Sequence, residues 1–241
     1  MDEITTESEW LGAKESWKLL NHLERWEPVS DRKWRLFACA SVRTIWPMID
    51  AEICQQAVET GELFADGLVS RFEAERVKSY AEMVAWPTNE DYPPYTGDYA
   101  ASQAVITDKG KECRCLARWL DGMVWQAIMA ATGGYSGTKR ALRDKQMCPI
   151  IRDIFGNPFR PRRPLDPALL NWNNGTIANL AQAAYEERIL PAGKLDFARL
   201  AVLADALEEA GCTDGELLGH LRSPGPHVRG CFALDAVLGR S

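Results

Sequence analysis

His220 and His227, two of the three histidines in the chain, share the stretch His220-Leu-Arg-Ser-Pro-Gly-Pro-His-Val-Arg-Gly-Cys231, and Cys212 stands just upstream. Imidazole nitrogens and thiolates are the donors that zinc takes in tetrahedral sites. The same residue types also make catalytic thiol–imidazole pairs. A third reading is purely structural: the Pro-Gly-Pro corner docks a last helix, and Cys231 faces the core.

Helix geometry narrows the set. Thr213-x-x-Glu216 reads as a capping box that opens a short helix. Cys212 and His220 would then sit at its two ends, about 12 Å apart at 1.5 Å per residue. Ligands of one zinc converge to about 2.3 Å from the metal, so Cys212 drops out. His220, His227 and Cys231 remain as candidate ligands. Pro226 can start the last helix, which would place His227 and Cys231 at i and i+4 on one face. A thiol at a helix N-terminus, beside Arg229 and a histidine, also has the setting of a nucleophile. Against both stands the apolar stripe Cys231, Leu234, Leu238. No cofactor is required by this pattern, and zinc is the one it would accept.

A second kind of chemistry lies upstream. Residues 138–163 carry eight Lys or Arg against Asp144 and Asp153 alone, a local +6 that leaves −12 for the rest of a chain of net charge −6. Arg152, Arg160, Arg162 and Arg163 are the candidate partner- or anion-binding residues, since guanidinium forks fit carboxylates and phosphates. Three prolines in residues 157–164 forbid a helix there and would present these arginines on a stiff, extended backbone. The alternative is a linker whose arginines pair with the protein's own acids.

Other patterns carry less. Gly133-Gly-Tyr-Ser-Gly-Thr-Lys139 matches a phosphate loop only in part: Thr and Lys are in reversed order, the spacing is one short, and a helix precedes it. Cys113 and Cys115 are two apart, about 200° around a helix, and cannot share a ligand. Asp205, Glu208 and Glu209 read as the solvated side of the helix that buries Leu200, Leu203 and Leu207. No residue set forms a convincing catalytic constellation.

The elements that must position these groups are helices. Apolar positions recur at helical spacing over 8–26, over a helix capped by Ser30, and over 51–60 and 70–85. They continue over 98–131 with a break near Lys109-Gly110, then over 150–155 with Pro149 in the first turn, 176–188 and 196–210. Gly133, Gly156 and Gly211 should stop helices. No alternating or β-branched run suggests a strand, so the fold class expected is all-α. The loop 87–97, rich in proline, divides an N-terminal helical region, 1–86, from a C-terminal one, 98–241, the two packing as one globular unit.

The totals agree. Of 241 residues, 46 % are hydrophobic, enough to bury a core. A net charge of −6 argues against general attraction to nucleic acid, leaving the basic segment as a weaker route to it. The most apolar window, Met123–Thr132, is too short to span a bilayer, so no membrane partner is expected. The acidic Met1-Asp-Glu-Ile-Thr-Thr-Glu7 is unlike a signal or transit peptide. With seven irregularly spaced cysteines, it leads us to expect reduced thiols and a cytoplasmic location.

Three C-terminal segments carry a resemblance: Arg152-Asp-Ile-Phe-Gly-Asn-Pro-Phe-Arg-Pro161, Leu203-Ala-Asp-Ala-Leu-Glu-Glu-Ala-Gly-Cys212 and Pro224-Gly-Pro-His-Val-Arg-Gly-Cys231. With Ser30-Asp-Arg-Lys-Trp-Arg-Leu-Phe-Ala-Cys39 and Ile45-Trp46, they resemble a family of mostly hypothetical bacterial proteins found as many paralogues per genome. The resemblance covers both ends of the chain and implies no established activity. Members are often richer in cysteine after the Phe-Ala-Cys element, whereas Ser41 and Val42 stand there in this chain.

The functional expectation is a helical protein–protein interaction or adaptor module, not an enzyme, favoured by nine tryptophans and the segregated basic segment. A metal-dependent or thiol enzyme centred on His227 and Cys231 is the alternative, and nucleic-acid binding through residues 139–163 is the third.

Overall fold

The computed structural model describes residues 3–25, 29–86, 96–160 and 165–240. Among them the chain is helical, as the periodicity predicts. The first seven helices are α1 (Glu7–Gly12), α2 (Ser16–Arg25), α3 (Asp31–Arg43), α4 (Glu52–Ala65), α5 (Arg71–Ala85), α6 (Gly97–Ser102) and α7 (Gly110–Ala131). The rest are α8 (Gly137–Phe155), α9 (Pro167–Leu170), α10 (Trp172–Glu186), α11 (Phe197–Glu209), α12 (Gly215–Leu221) and α13 (Phe232–Leu238). Extended pairing among the described residues is limited to the isolated bridges Ile189–Lys194 and Lys194–Val228. None of the described helices is long and apolar enough to cross a membrane.

Several boundaries differ from the expected ones for visible reasons. The helix expected over 8–26 is two helices, because the Asp144 carboxylate takes both the amide and the hydroxyl of Ser16, at 3.1 and 2.7 Å, and starts α2 there. The break near Gly110 is real: its φ is +59° and its amide donates to Asp31 at 2.8 Å. Pro149 lies inside α8, not in a first turn. The carbonyl that it leaves without a partner is that of exposed Lys145, which water can reach, and buried Met147, Ile150, Ile151 and Ile154 hold the helix on both sides. The cap of α12 is Asp214 and not Thr213, because the Asp214 carboxylate accepts from the amides of both Glu216 and Leu217 at 3.1 Å.

The chain forms two compact units, one of residues 13–148 and one of residues 1–12 with 149–241. The division falls inside α8 and not at the expected loop, of which residues 87–95 lie outside the described residues. In the larger unit α3 packs against α4 and α7, and α4 against α5 and α6. Trp34, Phe37, Leu36 and Leu120 are fully buried there. In the smaller unit α10, α11, α12 and α13 enclose Tyr185, Leu200, Leu203, Leu207, Leu221 and Leu234. The N-terminal α1 belongs to this smaller unit because Arg152 donates to the Trp10 carbonyl, at 2.8 and 3.2 Å, and Asn157 donates to Glu7 at 2.6 Å.

Candidate metal centre

The last turn of α8 brings one acid, Asp153, into the apolar side of the helix, between Ile151 and Ile154, at 1 % exposure. Such a carboxylate has to be paired or hydrogen-bonded. Its Oδ2 accepts the amide of Val228 at 2.8 Å. Its Oδ1 meets His220 Nε2 at 2.9 Å and His227 Nδ1 at 3.0 Å. His220 Nε2 also lies 3.3 Å from Cys231 Sγ. One donor atom from each of Asp153, His220, His227 and Cys231 falls within 4.8 Å of the others, a group that could hold a metal ion.

Each donor comes from a different local device. His220 projects from α12 and is wedged between the rings of His227, edge-on at 4.8 Å, and Phe232 at 4.4 Å. His227 is not on a helix. It lies in the extended segment after the Pro-Gly-Pro corner, where its carbonyl takes the Leu195 amide at 2.9 Å and Val228 bridges Lys194. Gly225 makes that corner possible: its φ is +88°, and a Cβ there would stand 2.8 Å from the His227 amide. Cys231 is the N-cap of α13. The expected i, i+4 pairing of His227 and Cys231 on one helix is therefore corrected. The Val228 amide is spent on Asp153, and Gly230 turns the chain with φ +89°, so helix begins only at Phe232. Gly156, at φ +68° and with Phe232 where its Cβ would be, ends α8 close against the same cluster.

The hydrogen-bond pattern differs from that of a thiol–imidazole relay. In a relay, the base holds its orienting carboxylate with one ring nitrogen and the nucleophile with the other. Here Asp153 and Cys231 both face the same Nε2 of His220. His227 Nε2 lies 2.9 Å from the Ser223 carbonyl, to which it must donate. A neutral His227 therefore turns a lone pair on Nδ1 toward the Asp153 oxygen. Two lone pairs at 3.0 Å need a proton or a cation between them. Burial pulls the His227 pKa down, but the Asp153 carboxylate and the Ser223 carbonyl outweigh it and leave it raised. Burial pushes Asp153 up, and its bonds to His220 and His227 reverse this, leaving it lowered. The Cys231 thiol is raised well above 9.0, by burial first and then by the Asp153 charge, which keeps it from being a free thiolate nucleophile. Arg229, expected beside this thiol, lies over the Tyr185 ring at 5.0 Å.

Of the sites expected from sequence, His220, His227 and Cys231 are brought together. Cys212 is buried elsewhere in the smaller unit's core, outside the cluster. Asp153 was not among the expected donors because it reads as a counter-charge within the basic run. Its signal was its place among Ile150, Ile151, Ile154 and Phe155. The two candidate arginines among the described residues make internal contacts. Arg152 binds the Trp10 carbonyl, and Arg160 pairs with Glu7 at 2.5 Å and Glu216 at 3.4 Å. Arg162 and Arg163 lie outside the described residues. All seven cysteines are free. No family model, curated protein or solved structure matches the chain.

Proposed function

We propose that the smaller unit is a zinc-stabilised helical module in which Asp153, His220, His227 and Cys231 hold one structural ion, and that its role is binding, not catalysis. The observation that carries the reading is the convergence of four donor atoms within 4.8 Å. Ligands of a tetrahedral zinc stand about 3.5 Å apart, given bonds of about 2.0–2.3 Å. The separations of 2.9, 3.0 and 3.3 Å around Asp153 and His220 lie just inside that span.

Donor chemistry supports zinc. Two imidazoles, a thiolate and a carboxylate suit a borderline-soft ion better than magnesium or calcium, which prefer oxygen alone. The two anionic ligands cancel the charge of a divalent ion, so the buried site would be neutral. Four protein ligands leave no open coordination position, as in structural sites. The outer contacts fit as well. Val228 fixes the second Asp153 oxygen, and the Ser223 carbonyl fixes the His227 tautomer with Nδ1 inward. Two of the motif segments that carry the family resemblance supply Asp153, His227 and Cys231. That makes the centre a candidate for what such relatives share. The adaptor reading keeps only Arg160, Arg162 and Arg163 as a route to a partner, with Arg160 already engaged.

Elemental analysis of the purified protein after zinc loading and exhaustive dialysis tests the proposal. One zinc per chain is expected for the wild type, and none for His227→Ala or Cys231→Ala. Equal metal in the wild type and both variants, or none in any, removes it.

A further inference from the structure

We infer that the larger unit holds a separate binding site for a small planar aromatic carboxylate, in a cavity between α2, α7 and the first half of α8. The cavity measures about 370 Å³. That is at the small end of ligand pockets, and clefts between helices are a common place for them.

One face of α7 makes its floor. Cys115, Arg118, Trp119, Gly122 and Trp125 follow at i, i+3, i+4, i+7 and i+10, so they share that face. Gly122 is the notch between two indoles: nothing stands within 4 Å of where its Cβ would be. Trp17 from α2 adds a third indole. Trp119 is 46 % exposed, a large apolar face left to solvent beside a cavity. Three indoles around a notch recognise a flat ring by stacking.

The charged groups set the sign of the ligand. Asp121 is neutralised by Arg143, which also binds Ser41 and Thr44 at 2.8 Å each. Glu24 is neutralised by Arg118, which also binds Asn21 at 2.7 Å. Arg140 differs. Its Nε makes a long 3.3 Å bond to Asp144, whose other oxygen serves Ser16, and its plane lies 5.7 Å over the Trp125 ring. Its terminal nitrogens make no hydrogen bond among the described residues. They form a free fork at the edge of an aromatic wall, the donor geometry for a carboxylate. Each of the three acids pairs with an arginine, but Arg140 does so through Nε alone, so its terminal nitrogens are the donors left for an anion.

Calorimetric titration of the whole protein with 2-naphthoate tests the inference, with 2-naphthylmethylamine and cyclohexanecarboxylate as the cationic and non-aromatic controls. One saturable site with Kd on the order of 0.1 mM is expected for the acid. Both controls should bind at least ten-fold more weakly. A Cβ at Gly122 would have nothing within 4 Å, so Gly122→Leu has room to enter the notch and should abolish binding while leaving the melting temperature unchanged or raised. Trp119→Ala, at an exposed position, should weaken binding at least ten-fold, and Arg140→Gln should erase the preference for acid over amine. Equal or tighter binding of the amine, or 2-naphthoate binding unaffected by Gly122→Leu and Trp119→Ala, overturns the assignment.

Discussion

Both units bury charge, and they do it in opposite ways. In the larger unit Arg43 and Glu62 meet as a two-pronged pair, at 2.5 and 2.9 Å, with Arg43 over the Trp46 ring at 4.7 Å. Each charge has its opposite, and nothing more is needed. In the smaller unit one carboxylate faces two imidazoles and a thiol, and the donor atoms converge instead of pairing. A pair satisfies itself, whereas converging lone pairs need a proton or a cation between them. That contrast, and not burial alone, is why we propose the metal site in the smaller unit.

The contrast can be broken at either end. Arg43→Ala strips Glu62 of its guanidinium in a dry site, and removing one partner of a buried pair costs about 3–5 kcal/mol. Denaturant melts should show that loss equally with zinc and with chelator. If chelator changed it, the two units would not be independent in this respect. Chelation of the wild type should lower stability by about 3 kcal/mol, the effect of a ligand held near a hundred times its Kd. Chelator should do nothing to His220→Ala, and an equal response in that variant would contradict the site.

The effect of pH distinguishes the two states of the centre. In the metal-free protein, His227 titrates above its ordinary 6.5 and Asp153 below its ordinary 3.8. Their pairing therefore contributes fully between about pH 4 and 6.5. It fades as pH rises through the raised His227 value, and again as pH falls through the lowered Asp153 value. Zinc requires deprotonated ligands, so its contribution grows over the upper of these ranges. From about pH 6 to 8 the chelated protein should lose stability while the gain from zinc increases. A gain from zinc that stays flat across that range would count against thiolate and imidazole ligation. The smallest effect is expected for Arg160→Ala: its ion pairs are half-exposed, so neither the melting temperature nor the zinc content should move measurably.

Much of this was legible in the chain. Helical spacing gave the all-α class, and Gly133, Gly156 and Gly211 do sit at helix ends with positive φ. The elimination of Cys212 by helix rise left the three residues that the fold does bring together. What spacing could not show was how they meet. His227 and Cys231 looked like helix neighbours because i and i+4 suggests it, but a Pro-Gly-Pro corner and a tertiary bond from Val228 to Asp153 keep that segment extended. Asp153 was hidden for the complementary reason. A count of charges makes it one of two acids among eight bases, and only its position in the isoleucine stripe betrays that it is buried. Contacts across 67 and 74 residues, from Asp153 to His220 and to His227, carry no local signal.

Cobalt substitution tests the central claim most directly, because its absorption spectrum reports both geometry and donor type. The cobalt-loaded wild type should show intense tetrahedral bands in the visible and a thiolate-to-metal band in the near ultraviolet. Cys231→Ser should keep the first and lose the second. Weak bands of a six-coordinate ion, or a thiolate band that survives in Cys231→Ser, would contradict a centre built from Asp153, His220, His227 and Cys231.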